Sequence, residues 1–168
     1  MANNCCYEML AVSKNKESLD RLVRIMNYKD PEYYLYRVFF VKEYERNTEP
    51  PKYLDEFHYI KLVGDVAWSA RPWVHDNRDL TIKSKSGAHY SNLREICKAL
   101  DIGVEVFTEE PGVGFQEHYR VDHNGELTWN ECAVWTQGVD ENDEIDESLS
   151  EGGLEDYLEW SNYDEIYG

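Results

Sequence analysis

The sequence has few basic residues, and this shortage limits the partners it can have. Its 34 acidic residues outnumber 17 basic ones and give a formal charge of −17 at pH 7. Nucleic acids and the anionic cytoplasmic leaflet attract proteins largely through Lys and Arg, so we expect neither to be a partner. The charge instead favours binding to a basic protein surface, or it serves solubility alone.

Cysteine is also scarce, and its spacing excludes the common cysteine-based sites. The four cysteines include no CxxC pair, so we expect neither a zinc knuckle nor a thioredoxin-type centre. No basic stretch followed by an apolar run opens the chain, and no segment approaches the roughly 20 apolar residues of a membrane span. These absences predict a cytoplasmic protein with reduced thiols.

Motifs of known enzymes are absent as well. The histidines show neither HxH nor HExxH spacing, and there is no Gly-x-Ser-x-Gly nucleophile motif. We therefore predict that the protein is not an enzyme and has no catalytic residue, metal site or cofactor. The alternative is a small metal-dependent hydrolase, and the residues that would serve it are His75, Asp76, Glu117 and His118.

What the sequence does contain is a regular alternation of strand and helix patterns. Apolar residues recur at helical spacing in two segments, which are Leu19, Leu22, Val23, Met26 and Leu93, Ile96, Cys97, Leu100. Asn15 or Ser13 is expected to cap the first helix and Ser91 the second. Aromatic and β-branched runs predict strands at residues 5–12, 33–44, 57–63, 104–108, 115–121 and 127–135.

The order of these segments predicts the fold. Strand, helix, strand, strand, helix, strand is the ferredoxin-like split βαβ plan. Asn124-Gly125 between the last two strands is a strong signal for an added C-terminal β-hairpin. We therefore expect an α+β fold, a ferredoxin-like sandwich with a hairpin, over residues 1–138.

The last segment, residues 139–168, differs in kind and is called the acidic tail below. It holds twelve acidic residues and no Lys, Arg or His, whereas the other 138 residues carry 22 acidic and 17 basic groups. Such a segment is expected to be disordered or to form a short helix, with Leu154, Tyr157, Leu158 and Trp160 on one side. A purely solubilising tail has no need of large apolar groups, so they are expected to dock on the domain or on a partner.

Five short stretches carry a resemblance to a known family. They are Asn4-Cys5, residues 64–69, residues 92–97 running into 101–106, residues 109–112 and residues 115–119. On these stretches the chain resembles the YubB-type ferredoxin-like family of phage, plasmid and other mobile-element proteins of bacteria. The resemblance implies a ferredoxin-like sheet and a bacterial host cell, but no catalytic residue, and it does not extend to the acidic tail.

The functional hypothesis combines this resemblance with the charge. By analogy with small acidic mobile-element proteins, the chain is expected to inhibit a CRISPR or restriction nuclease by presenting carboxylates where the enzyme expects phosphates. The expected partner-binding residues are Asp140, Glu141, Asp143, Glu144, Asp146, Glu147, Glu155, Asp156, Tyr157, Glu159, Trp160, Tyr163, Asp164 and Glu165. A further alternative is a structural or replication-linked protein that self-associates through a sheet edge.

Overall fold

The structure, a computed structural model, describes residues 4–47, 57–75 and 89–168, with only the backbone of His89 and Tyr90. The strands are β1 (Asn4–Ser13), β2 (Tyr33–Leu35), β3 (Val38–Arg46), β4 (His58–Ala67), β5 (His89–Ser91), β6 (Ile102–Glu110), β7 (Phe115–Val121), β8 (Leu127–Thr136) and β9 (Glu151–Gly152). The helices are α1 (Lys16–Met26), α2 (Arg71–Val74), α3 (Leu93–Leu100) and α4 (Tyr163–Tyr167).

These elements form an α+β fold built on one large sheet. Seven strands pair antiparallel in the order β3-β4-β1-β6-β7-β8-β9, and β2 pairs with β5 in a small parallel sheet. The apolar strand β1 is central, as its composition predicts. The long predicted strand over residues 33–44 is divided, because Arg37 adopts a φ of 60° and breaks the extended backbone between β2 and β3.

One face of the sheet, the helix face, is covered by α1, α2 and α3. The apolar stripes of both long helices are buried there, as their spacing predicts, although Val23 is only half-buried. Asn15 caps α1 as predicted, whereas Asn92 rather than Ser91 caps α3 by accepting from the backbone N–H of Glu95. Trp73 of α2 is fully buried and donates to the carbonyl of Tyr36 at 2.6 Å.

The predicted hairpin is confirmed between β7 and β8. Gly125 has a φ of 80°, which the turn requires and which favours glycine. The Asp122 carboxylate accepts from the backbone N–H groups of Asn124 and Glu126 and so closes the turn. The hairpin extends the sheet beyond β6.

The polar, irregular sequence of residues 75–89 is typical of a surface loop, and residues 76–88 lie outside the described residues. None of the described helices has the length and apolar character needed to cross a membrane.

Candidate functional site

The acidic tail lies across the sheet face opposite the helices, which is called the tail face below. Ile166 of α4 is fully buried against Leu10 and Val12 of β1. Gly103 of β6 lets the two backbones approach, since a Cβ at this position would lie 2.2 Å from the carbonyl oxygen of Ile166. Half-buried Tyr59, Trp160 and Tyr167 complete this second apolar cluster.

Aromatic rings of the tail continue this packing across the sheet. Trp160 and Tyr157 both meet the ring of Phe107 edge-on, with ring centroids 5.1 and 5.6 Å apart. Tyr163 lies 5.0 Å from the ring of Tyr59. Of the three expected partner-binding aromatics, Trp160 and Tyr157 are therefore half-buried against their own domain, while Tyr163 remains 37 % exposed.

The expected helix through residues 154–160 is not formed. Residues 155–158 make turns, Leu158 has a φ of 64°, and the short helix lies instead at Tyr163–Tyr167. Leu154 and Trp160 are held by contacts with the sheet, including a hydrogen bond from the Leu154 N–H to the side chain of Gln116 at 2.8 Å. The tail follows the surface of the sheet, and its contacts with the sheet determine its conformation. A helical pattern in a short segment does not predict such contacts.

A sequence signal for this packing existed in β1. Met9, Leu10, Ala11 and Val12 are all buried, although neighbouring strand residues point to opposite faces. A continuous apolar strand therefore requires a covering layer on both sides of the sheet. The helices supply one layer, and the tail was the remaining segment rich enough in large apolar residues to supply the other.

The predicted acidic residues mostly point into solvent from this fixed segment. Asp140, Asp146 and Asp156 are half-buried, and the exposed ones are Glu141, Asp143, Glu144, Glu147, Glu155, Glu159, Asp164 and Glu165. Within the described parts of the chain, Glu165 forms a salt bridge with Arg120, and Oδ2 of Asp156 lies 3.5 Å from Nδ1 of His118. The tail therefore presents a fixed surface of carboxylates, most of which have no cationic partner among the described residues.

Exposed apolar side chains lie within this acidic surface, and sequence reasoning missed them. Val139 and Ile145 pair across an isolated β-bridge and are 48 and 64 % exposed. Leu149, in a short 3-10 turn, is 51 % exposed. Apolar groups ringed by charge are typical of interaction surfaces, and their presence among six carboxylates of residues 140–147 was the available signal.

An acidic cleft opens between the tail and the sheet. It has a volume of about 380 Å³, and its lining includes Glu8, Glu109, Glu147 and Tyr157. Burial raises the pKa of Glu109 above its usual value, and the charge of Glu147 adds to this effect. Burial likewise raises the pKa of Glu8, against the lowering effect of Lys61. Crowded carboxylates of this kind favour a cationic guest.

A buried polar group also joins the tail to the sheet. Glu105 of β6 is fully buried, faces the Nε2 of His118 at 3.1 Å, and accepts from the N–H and hydroxyl of Ser161 at 2.8 and 2.6 Å. Burial acts to raise the pKa of Glu105, but the hydrogen bonds from His118 and Ser161 outweigh burial and hold the pKa below its usual value.

Of the described residues proposed for a hydrolase, Glu117 and His118 do not share a site. Glu117 and His118 are neighbours on β7 and therefore point to opposite faces of the sheet. Glu117 is buried on the helix face, where it accepts from Ser69, the N–H of Ala70, Thr108 and Tyr119. The ring of His75 also lies on that face, beside Tyr119, and Asp76 lies outside the described residues.

Comparisons with protein-family models, with curated proteins and with solved structures found no match to this chain.

Proposed function

We propose that the protein binds a basic, nucleic-acid-binding surface of another protein and competes with the nucleic acid for it. The observation that carries this proposal is the acidic tail, whose exposed carboxylates are fixed to the sheet instead of moving freely. A surface ordered before binding loses less conformational entropy on association than a disordered segment does. Dense negative charge also accelerates encounter with a Lys- and Arg-lined channel.

The acidic cleft supplies a specific place for a basic side chain. Glu8, Glu109 and Glu147 give it charge, and Tyr157 gives it an aromatic wall. A Lys or Arg side chain of the partner would offset the mutual repulsion of these carboxylates and bury its aliphatic stem against the ring. Tyr157 and Trp160 pack on their own domain and are therefore not free to anchor the partner. Tyr157 contributes instead as one wall of the acidic cleft.

The apolar residues of the acidic surface supply the desolvated contact. Val139, Ile145 and Leu149 are exposed in the free protein and lie among the acidic residues of the tail sequence. Interfaces commonly derive their affinity from a few buried apolar groups and their rate and specificity from surrounding charge. We assign these three side chains to the centre of the interface.

The fold and the charge together favour one class of partner, a nuclease of bacterial defence. The order β3-β4-β1-β6, with α1 and α3 on one face, supports the proposal of a ferredoxin-like core, which is the fold that the YubB-type resemblance implies. We therefore propose a mobile-element accessory protein in the cytoplasm of a bacterial host, acting on a CRISPR or restriction nuclease. Neither nucleic acid nor membrane is a proposed partner, because the charge repels both.

Neutralising three exposed tail carboxylates should weaken binding without unfolding the protein. Glu141, Glu144 and Glu147 are replaced by glutamine, and DNA cleavage by a panel of CRISPR and restriction nucleases is measured with each variant. Inhibition by the wild type should be relieved by excess DNA, and the triple variant should need about tenfold more protein in 50 mM salt, a difference that shrinks in 300 mM salt.

The matched control removes the same charge from the helix side of the molecule. Glu17, Glu95 and Glu126 are exposed on or beside α1 and α3, and their replacement by glutamine should leave inhibition unchanged. Equal loss in both triple variants would assign the effect to net charge alone. If no nuclease of the panel is inhibited and a deca-arginine peptide does not bind in 50 mM salt, the proposed function is wrong.

Replacing Glu109 by glutamine should raise stability while lowering affinity. Because the pKa of Glu109 is raised in the folded protein, its ionisation costs folding free energy as pH rises above about 4.3. The variant should gain about 0.5 kcal/mol at pH 7 in urea unfolding, after discounting for screening, and no gain below about pH 4. A loss of stability at pH 7 would contradict the proposed unfavourable ionisation of Glu109 in the cleft.

Self-association through a sheet edge is the remaining alternative. The edge strand β3 exposes Phe39 and Phe40, which are 58 and 52 % accessible, and so offers an apolar surface for association. Two irregularities in its pairing with β4 are features that protect sheet edges from such association. Light scattering across a concentration series separates the two, since the proposed function needs only a monomer.

A further inference from the structure

Buried His118 carries a ring nitrogen that no described group satisfies. Its side chain is only 3 % exposed, and Nδ1 has no hydrogen-bond partner although it is shielded from water. The nearest carboxylate oxygen, Oδ2 of Asp156, lies 3.5 Å away. Leaving a buried polar atom without a hydrogen bond destabilises the fold, so such an atom calls for a partner.

The surroundings of this atom are suited to a cation. Atoms of His118, Asp156 and Glu131 lie within 4.8 Å of one another, and Glu131 stands opposite His118 in the β7–β8 register. When the neutral ring carries its proton on Nε2 and donates a hydrogen bond to Glu105, the lone pair of Nδ1 faces these two carboxylates. Three electron-rich groups then converge on one point.

The ring of His118 is held in this orientation from several sides. Glu105 accepts from Nε2, Phe107 stacks on one side at 4.1 Å, and the ring of Trp129 lies 5.3 Å away. A carboxylate on the second nitrogen of a histidine is the usual support for a metal-binding imidazole, because it fixes the tautomer. Glu105 thus has the position of such a supporting group.

We propose that His118 Nδ1, Asp156 and Glu131 bind a divalent first-row transition metal of the Zn²⁺ type. One imidazole and two carboxylates form a three-residue ligand set that leaves room for water, and Zn²⁺ accepts both ligand types. Bonds of about 2.0–2.2 Å allow ligand atoms to lie up to about 4.3 Å apart, so a small movement of exposed Glu131 completes the set.

This site would join the acidic tail to the sheet, and the proposed function requires the tail to be held there. Asp156 belongs to the acidic tail, whereas His118 and Glu131 belong to the sheet. A bound ion would therefore hold the tail on the sheet. The inference stands independently of the proposed function, because it rests on His118 and needs no protein partner.

The test measures Zn²⁺ binding to the full-length protein after removal of metals with a chelator. Equilibrium dialysis should give one Zn²⁺ per chain with micromolar affinity, and saturation at 100 times the dissociation constant should raise Tm by about 5–10 °C. Asp156→Asn and Glu131→Gln should each lower the affinity at least tenfold. Glu131 is exposed, so its variant is expected to fold normally.

Matched controls separate this site from loose binding to an acidic surface. Asp164→Asn and Glu159→Gln remove the same charge from exposed tail positions outside the cluster and should leave the affinity unchanged. In ¹⁵N-labelled protein, Zn²⁺ should shift the Nδ1 resonance of His118 while Nε2 keeps its proton. Co²⁺ should quench fluorescence more strongly in the wild type than in Trp129→Phe, because the Trp129 ring borders the site.

Three results would overturn the metal site. They are the absence of saturable Zn²⁺ binding below 1 mM, equal loss of affinity in the control variants, and an unchanged Nδ1 resonance at saturation. None of these outcomes bears on nuclease inhibition, so failure of the metal site and failure of the proposed function are distinguishable.

Discussion

Replacing Gly103 by alanine should release the end of the chain from the sheet. The added methyl group would lie 2.2 Å from the carbonyl oxygen of Ile166 and 2.6 Å from the Cα of Tyr167, and both are backbone atoms that cannot turn aside. Either α4 moves away or β6 bends, and the burial of Ile166 is lost in both cases. We expect a loss of about 2–3 kcal/mol in the free energy of unfolding.

The measurement combines urea unfolding with hydrogen exchange of the last residues. Ile166→Ala removes the same apolar contact without the clash, so the double variant with Gly103→Ala should cost less than the two single changes added together. Gly112→Ala, in the exposed turn after β6, is the matched control and should be nearly neutral. Unchanged exchange at residues 163–168 in Gly103→Ala would show that the tail does not depend on this contact.

Replacing Glu105 by alanine should strongly destabilise the sheet. Glu105 is fully buried and faces the Nε2 of His118, and Ser161 donates two hydrogen bonds to it. Its removal leaves His118 and Ser161 with buried donors that lack a partner and opens a gap between the tail and the sheet. Breaking one partner of a buried pair of this kind costs about 3–5 kcal/mol.

The same strand provides the control for Glu105. Glu109 lies four residues further along β6 on the same face, is only half-buried, and has its pKa shifted in the opposite direction. In the presence of a chelator, which removes any metal contribution, Glu105→Ala should unfold at far lower urea than Glu109→Ala. Similar midpoints for the two variants would contradict the role assigned to Glu105.

Deleting the acidic tail, which the sequence suggests as the direct test of function, would be a poor experiment. The deletion would expose Leu10, Val12 and Phe107 and would leave Glu105 and His118 without their tail contacts. Loss of binding would then report exposed apolar surface as much as lost charge. Substitution of exposed carboxylates in the full chain separates the two effects.

The candidate site was only partly predictable, and the difference has a physical cause. The concentration of carboxylates in residues 139–168 is a property of composition, so it was visible without any structure. The sequence places His118 beside Glu117 in a strand, but the two side chains point to opposite faces. The residues that lie close to His118 belong to β6, β8 and the tail. Contacts between residues so far apart in the sequence produce no recognisable spacing pattern.

Side-chain patterns that extend over a few residues are sufficient to predict most local elements of this protein. The apolar stripes of α1 and α3, the turn at Asn124-Gly125 and the central position of β1 follow from side-chain periodicity and backbone preference, which act over a few residues. The excess of negative charge and its location at one end are likewise independent of folding.

The position of the acidic tail, in contrast, depends on contacts between distant parts of the chain. Its carboxylates resist collapse, whereas Leu154, Trp160 and Ile166 favour burial, and composition alone does not determine which tendency prevails. The outcome depends on a second apolar sheet face at Leu10, Val12 and Phe107, and on Gly103, which allows close approach. Because burial needs a complementary surface from distant parts of the chain, only the assembled sheet could convert an acidic segment into an ordered layer.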